Sequence, residues 1–148
     1  MSLAERRATA VWSGDLPHGS GTVDGASGAL SGLAVSWRAR TEDPGGNTSP
    51  EELIAAAHAS CYAMAFSNVL AGGGNAPERL EVTATCHLDR AGEGVKITLV
   101  ELEVRGRVPG LDAEAFERAA HEGDAGCPVS NVLRGNAEIR VQATLEGG

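Results

Sequence analysis

The sequence has few positive charges, few cysteines and few aromatic residues, and each shortage excludes a class of protein. Lys and Arg number 12 against 20 Asp and Glu, and the net charge of −8 argues against nucleic acid and anionic membranes as partners. Three cysteines are too few, and odd in number, for the disulfide scaffold of a small secreted protein. Aromatic residues make up 3% of the chain, whereas 20 glycines predict many turns.

The sequence pattern also predicts no targeting segment and no membrane segment. Residues 1–7 contain no apolar segment of the kind found in signal peptides, so we expect none. We find no run of roughly 18 uncharged apolar residues, the length that a membrane-spanning helix requires. Together with the scarce cysteines, these absences predict a cytoplasmic protein. A length of 148 residues predicts a single domain over residues 1–148.

The long helix predicted from Ser49 to about Ala71 is the clearest element. Ser49 suits the N-cap, Pro50 the first helical position, and Glu52 stands three residues after Ser49 as in a capping box. The body of the helix is apolar nearly all round, and such a helix needs burial on most sides. Because one small sheet can hardly cover it, we expect a homodimer.

Short strands with glycine-rich turns are predicted before this helix, and a second set of strands and helices after it. A change of phase near Leu99–Val100 predicts a β-bulge. The resulting order predicts an α+β fold with mainly antiparallel sheet. The predicted elements are strands at 9–12, 21–23 and 33–37, a loop at 41–47, strands at 80–88 and 95–104, helices at 112–123 and 128–133, and a strand at 137–145.

The three cysteines lie in different settings. Cys86 is on the inward face of a regular strand, where a thiol packs as a small apolar side chain. Cys127 directly precedes Pro128, which places it at a helix N-cap, where the helix dipole lowers the pKa of a thiol. An ordinary capping role is equally compatible with that position. Cys61 is about three turns into the long helix, and taken together with Cys127 it indicates a redox-active dithiol.

The charged and titratable residues near these cysteines also have ordinary explanations. His58 is three residues before Cys61 on the same helix face, either as a proton relay or as a satisfied core histidine. Glu51 is an acid in a first helical turn, where acids are favoured. Arg38 and Arg40 precede the loop, and an arginine held by a carboxylate is suited to stabilise a thiolate, although such arginines are usually solvated.

Other kinds of site are disfavoured by the sequence. Phosphate-binding, HExxH and GxSxG patterns are absent, and so is CxxC. A zinc site of Cys61, Cys127, His58 and His87 would match no standard ligand spacing, so we expect no metal. A cysteine hydrolase using Cys61 and His58, and a non-catalytic dimeric redox-sensing or binding domain, remain as alternatives.

Four segments carry a resemblance to a known family. They are residues 48–61 (TSPEELIAAAHASC), 126–133 (GCPVSNVL), 10–14 (AVWSG) and 19–23 (GSGTV). The chain resembles the OsmC/Ohr family of thiol peroxidases over nearly its whole length. The forms Ala-Ala-His-Ala-x-Cys and Cys-Pro-Val-Ser resemble the OsmC branch more than the Ohr branch.

The resemblance implies an OsmC-like α+β fold in an intertwined homodimer that reduces organic hydroperoxides, without metal or flavin. Cys61 matches the attacking cysteine, which becomes a sulfenic acid, and Cys127 matches the resolving cysteine, which forms a disulfide with it. Glu51 matches a helix-start glutamate and Arg40 the arginine that it orients, with Arg38 as the alternative. The reductant implied is an external dithiol of the lipoyl type.

The spacing of Glu51 and Cys61 bears on this assignment. Ten residues correspond to about 15 Å along one straight helix, so the two side chains cannot touch within it. If both serve one site, we expect the glutamate–arginine pair to come from the other subunit.

Overall fold

A computed structural model describes residues 2–147, so Met1 and Gly148, the two ends of the predicted domain, lie outside the described residues. The architecture is α+β, with two three-stranded sheets and a long helix, as the sequence predicts. The chain divides into two compact units, the first ending at Leu53 and the second beginning at Ile54. The elements are β1 (Ala8–Ser13), β2 (Ser20–Gly25), β3 (Leu33–Val35), α1 (Trp37–Thr41), α2 (Pro50–Gly72), β4 (Arg79–Ala91), β5 (Gly94–Arg107), α3 (Ala113–Ala125), α4 (Pro128–Leu133) and β6 (Glu138–Leu145).

The first unit contains the antiparallel meander β1-β2-β3, followed by the short helix α1. The predicted third strand is wrong at its end, because the strand stops at Val35 and Trp37 begins α1. Ser36 is the physical reason. Its backbone is extended and its Oγ accepts a hydrogen bond from the N–H of Ala39 at 3.1 Å, which makes it an N-cap.

Helix α2 begins where the sequence predicts and ends at Gly72, one residue beyond the predicted end. Ser49 Oγ accepts a hydrogen bond from the N–H of Glu52 at 3.1 Å, the serine half of a capping box. The glutamate half differs, since Glu52 Oε1 accepts a hydrogen bond from Thr48 Oγ1 at 2.6 Å. The helix start is therefore held by two polar contacts and by acids at its positive end.

Within the chain, α2 is buried along one stripe rather than on most sides. Four residues spaced by four, His58, Tyr62, Phe66 and Leu70, are at most 3% exposed. Met64, on another side of the same helix, is 71% exposed. The single chain therefore leaves part of an apolar helix uncovered.

The length of this apolar helix also corrects one prediction. By length and composition α2 is able to cross a membrane, so the expectation that no run is long enough was wrong. The reason is that residues 53–77 contain no Asp, Glu, Lys or Arg, and alanines keep the mean hydropathy high despite interspersed polar residues. A core helix of a soluble protein passes the same test, and His58, Tyr62 and Phe66 pack α2 into such a core.

The second unit contains the sheet β4-β5-β6. Strands β4 and β5 pair antiparallel, and the register shifts between His87 and Leu88, which leaves Thr98 as an extra residue of β5. The predicted bulge is therefore present, slightly before Leu99–Val100. Strand β6 pairs parallel to β5, because the crossover through α3 and α4 returns the chain in the same direction.

The core of the second unit lies among α2, α3, α4 and one face of this sheet. Aromatic rings form its centre, with Phe66 5.7 Å from Tyr62 and 5.0 Å from Phe116 between ring centroids. Burying each such ring stabilises the fold by about 1.5–3 kcal/mol. The buried members are Tyr62, Phe66, Leu70, Leu102, Val104, Val108, Phe116, Ala120 and Cys127.

Gly123 permits α3 to lie close to α2. A Cβ at this position would be 3.1 Å from the Cα of Phe66 and 3.2 Å from its Cβ, closer than ordinary van der Waals contact. Glycine in a helix interior costs about 1 kcal/mol relative to alanine, so close packing accounts for its presence here. Helix α3 ends two residues before Cys127, and this approach carries Cys127 to the side of α2.

Candidate active site

The sulfur atoms of Cys61 and Cys127 lie 3.4 Å apart. Cys61 is on α2 and Cys127 is 66 residues later, directly before α4. Since a disulfide bond is about 2.05 Å long, a shift of about 1.4 Å joins the two sulfurs. Cys127 is fully buried, whereas Cys61 is partly exposed. The structure thus brings together the two cysteines that the sequence singles out.

Cys127 occupies the N-cap of α4, as predicted from Pro128. Its Sγ accepts a hydrogen bond from the N–H of Ser130 at 3.5 Å, and its carbonyl accepts one from the N–H of Asn131 at 3.0 Å. Capping by sulfur satisfies one of the unpaired N–H groups at the start of the helix. The cap also fixes the direction in which the thiol points.

The surroundings of Cys61 within the chain raise the pKa of its thiol. Burial raises its pKa above the ordinary value, and the neighbouring Cys127 raises it further, whereas a hydrogen bond from the backbone of Val129 opposes both. The net direction is upward, which favours the protonated thiol. Because the thiolate is the reactive form, an attacking cysteine at this position requires fixed positive charge.

His58 is hydrogen-bonded to Ser130, with its Nε2 2.7 Å from Ser130 Oγ, and both side chains are fully buried. Burial lowers the pKa of His58, while Asp124 raises it and Arg134 lowers it. The net lowering keeps the imidazole neutral near pH 7. His58 therefore has the buried setting of a core histidine, and its hydrogen bond goes to α4 rather than serving a hydrolase-type cysteine–histidine pair.

Three residues of this region were not predicted from the sequence to have a role: Asp124, Ser130 and Arg134. Arg134 Nη2 donates to Asp124 Oδ2 and to the Asp124 carbonyl, both at 3.2 Å, which ties the end of α4 to the end of α3. Ser130 belongs to the Cys-Pro-Val-Ser motif, and its position three residues after an N-cap was the one sequence sign of a role. Nothing local marks Asp124 or Arg134, because their pairing depends on the turn between the helices.

In the first unit, Arg40 and Glu51 form a bidentate ion pair. Arg40 Nε donates to Glu51 Oε1 and Arg40 Nη2 to Glu51 Oε2, each at 2.9 Å, with side-chain exposures of 28% and 9%. The guanidinium also lies over the ring of Trp37, 5.7 Å from its centroid. Arg38 pairs instead with Glu42 at 3.1 Å on the surface. Of the two candidates, Arg40 is therefore the arginine that Glu51 orients.

An open cavity of about 370 Å³ lies beside this ion pair. Its wall is mainly apolar, with the Arg40 side chain as its charged group. Such a cavity fits the apolar body of a small molecule whose polar end meets a guanidinium. The lining residues are Trp12, Leu16, Val35, Ser36, Trp37, Arg40 and Pro50.

The remaining candidates of the sequence reasoning lie elsewhere. Among residues 2–147, no group of three or more His, Cys, Asp or Glu side chains is arranged to hold a metal ion. His87 Nε2 lies 2.6 Å from Glu101 Oε1 across strands β4 and β5. Cys86 is partly buried on β4 and stands in register with Val100.

Comparison with known proteins places the chain in a family. The family model described as OsmC-like protein matches residues 43–142, a segment that includes Glu51, Cys61 and Cys127. The chain is 40% identical over 141 residues to the peroxiredoxin OsmC of Escherichia coli strain K12, covering 95% of this chain and 96% of that protein. The chain belongs to the OsmC-like protein family.

Further relatives agree with this membership, which confirms the resemblance of the sequence motifs. An organic hydroperoxide resistance protein-like 1 of Staphylococcus saprophyticus is 34% identical over 101 residues, covering 66% of this chain and 70% of that protein. The crystal structure of an organic hydroperoxide resistance protein from Elizabethkingia anophelis superposes with a TM-score of 0.74 at 23% identity, covering 98% of this chain and 99% of that one. That likeness shows a common OsmC/Ohr fold.

Proposed function

We propose that this OsmC-like protein is a thiol-dependent peroxidase that reduces organic hydroperoxides to alcohols. The observation that carries the proposal is the 3.4 Å separation of the Cys61 and Cys127 sulfurs, one partly exposed and the other buried at a helix N-cap. The names of the relatives support the same activity, since one is a peroxiredoxin and others are organic hydroperoxide resistance proteins.

The two cysteines have unequal roles in the proposed reaction. The Cys61 thiolate attacks the distal oxygen of the hydroperoxide, the O–O bond breaks, and the alkoxide leaves as an alcohol after taking up a proton. Cys61 is then a sulfenic acid. Cys127 attacks this sulfur, so that an S–S bond forms, the S–O bond breaks and water leaves. An external dithiol, of the lipoyl type, reduces the disulfide by thiol–disulfide exchange.

The positive charge that Cys61 requires is assigned to Arg40, held in place by Glu51. A bidentate carboxylate fixes the guanidinium plane, so the charge is oriented before the peroxide arrives. Because Glu51 and Cys61 are ten residues apart in one helical sequence, we assign the pair to the partner subunit of a homodimer. The exposed side of α2 around Met64 supports a partner there.

The apolar cavity beside Arg40 accounts for a preference for organic hydroperoxides over hydrogen peroxide. Its tryptophan, leucine and valine walls bind an alkyl or aryl group, while the peroxide end meets the guanidinium. Phe66 of α2 does not belong to this wall, because it lies in the protein core at 0% exposure. It therefore has no access to a substrate.

The proposal includes a location and a set of partners. The likeness to the relatives supports a soluble protein, and we place it in the cytoplasm. We propose no nucleic acid and no membrane as a partner, because a net charge of −8 disfavours binding to either polyanion. The single-domain organisation over residues 1–148 also remains a proposal.

The replacement Cys61→Ser tests the activity directly. With cumene hydroperoxide and a dithiol reductant, we expect Cys61→Ser to lose turnover, and Cys127→Ser to consume one equivalent of peroxide without forming the internal disulfide. Cys86→Ser is the matched control and is expected to keep wild-type turnover, since Cys86 lies on strand β4 and has no part in the proposed reaction. Peroxidase activity that survives in Cys61→Ser would contradict the assignment.

A further inference from the structure

A buried hydrogen bond between two side chains ties together the two helices that carry the cysteines. His58 is one helical turn before Cys61 on α2, and Ser130 is one turn after Cys127 at the start of α4. The 2.7 Å bond between His58 Nε2 and Ser130 Oγ therefore lies one turn from each sulfur. The backbone N–H of the same serine donates to Cys127 Sγ at 3.5 Å.

This bond is the polar contact that orients the imidazole. Among residues 2–147, His58 Nδ1 is buried with no hydrogen-bond partner, so the bond to Ser130 fixes the ring. A neutral imidazole is able to hold the serine hydroxyl without placing a charge in the core. Both side chains are fully buried, so water does not compete for the bond.

We infer that His58 and Ser130 are positioning residues for disulfide formation, because their hydrogen bond holds Cys127 against Cys61. This inference rests on the proposed peroxidase function and adds two residues to its second step. Ser130 acts through its N–H on the sulfur of Cys127, and His58 acts through Ser130.

The step that these residues serve is disulfide formation, which needs no further reactant. The Cys127 thiol sulfur attacks the sulfenic sulfur of Cys61, an S–S bond forms, and the S–O bond breaks. The proton of the Cys127 thiol leaves with the hydroxide as water. The competing step needs a second hydroperoxide, which oxidises the sulfenic acid to a sulfinic acid and releases a second alcohol. A firmly placed Cys127 favours the first route over the second.

The separation of the two steps gives a direct test. Reduced protein is mixed with one equivalent of cumene hydroperoxide and quenched at intervals with dimedone. Mass spectrometry then measures the sulfenic acid and the disulfide, and peroxide consumption gives the rate of the first step. Ser130→Ala removes the hydroxyl but keeps the N–H that faces Cys127, and His58→Leu removes the imidazole.

We expect peroxide consumption within about twofold of wild type in both variants, but disulfide formation about tenfold slower, in keeping with the loss of one buried hydrogen bond. Excess peroxide should then produce about tenfold more sulfinic acid per turnover. Ser130→Thr and His58→Gln keep a polar atom near the same place and should restore most of the rate. Ser60→Ala, whose hydroxyl bonds to the carbonyl of Ala57, is the matched control and should behave as wild type.

The possible failures are distinguishable. If wild-type protein consumes no cumene hydroperoxide, the proposed function is wrong and the inference is overturned with it. If wild type works and Ser130→Ala forms the disulfide at the wild-type rate, only the positioning role is overturned. The same conclusion follows if Ser130→Thr and His58→Gln are as slow as Ser130→Ala. Thermal unfolding checks that each variant is folded, and if one of Ser130→Ala and His58→Leu does not fold, the other carries the comparison.

Discussion

Replacing Gly123 with alanine tests how the fold brings Cys127 to α2. The new Cβ would lie 3.1 Å from the Cα and 3.2 Å from the Cβ of Phe66, and because these atoms are close to the backbone, a side-chain rotation cannot relieve the contact. Overpacking of this kind costs about 1–3 kcal/mol. Alanine returns about 1 kcal/mol as a better helix former. With an overpacking cost in the middle of its range, we therefore expect a net loss of about 1 kcal/mol in the free energy of unfolding.

Chemical denaturation of reduced protein measures this loss, and the midpoint of thermal unfolding should fall by about 2–4 °C for each kcal/mol lost. Gly126→Ala is the matched control. A Cβ at Gly126 meets only carbonyl oxygens at 3.6 and 4.0 Å, and its φ of −95° suits any residue. The control should be as stable as wild type. A Gly123→Ala protein that is as stable as Gly126→Ala would refute the packing argument.

The remaining predictions concern charge. Glu51→Gln should lower peroxidase turnover by about tenfold or more, since it frees the guanidinium of Arg40, whereas Glu42→Gln, which alters the exposed partner of Arg38, should change it little. Refolding Glu51→Gln together with Cys61→Ser should restore about a quarter of wild-type activity if each site spans two subunits, and should leave only the residual activity of Glu51→Gln if it does not. His58→Gln should remove part of the acid sensitivity of the fold. Burial lowers the folded-state pKa of His58 below 6.5, so the unfolded state binds more protons as pH falls below that value, and the unfolding free energy of wild type should drop more between pH 7.5 and pH 5 than that of His58→Gln. Equal slopes would contradict this.

The sequence predicted features that depend on neighbouring residues. The N-cap position of Cys127 follows from the missing N–H of Pro128, and the start of α2 follows from Ser49 and Pro50. Both rules act within one helical turn, so no knowledge of the tertiary fold is needed.

The choice between Arg38 and Arg40 shows why other features were not predictable. In an extended strand the two arginines share a face, because residues two apart point to the same side. The actual helix α1 turns by about 200° over two residues, so the two arginines point away from each other, and only Arg40 pairs with Glu51. The capping hydroxyl of Ser36 starts this helix, and the helix determines that Arg40 rather than Arg38 pairs with Glu51.

Contacts between distant parts of the chain were beyond the sequence for a different reason. His58 and Ser130 are 72 residues apart, and their bond exists because the crossover after β5 returns α4 to the side of α2. The parallel pairing of β6 has the same origin. Hydrophobic residues that repeat every two or every 3.6 positions identify strands and helices, but they do not show which distant elements pack together.

The apolar length of α2 has two physical explanations, and the hydrogen bonds of its polar side chains distinguish them. A helix that spans a bilayer presents apolar side chains to lipid, whereas α2 buries a histidine and a tyrosine whose polar atoms bond to Ser130 Oγ and to the Ala120 carbonyl. These bonds fix one face of α2 within a protein core. The other face, around Met64, is exposed and apolar. Independently, the pKa of Cys61 is raised, so an attacking thiolate there requires a positive charge nearby. In the proposed dimer a second copy of the chain meets both requirements, because it covers the apolar face and supplies Arg40. The proposed peroxidase activity therefore depends on the proposed dimer.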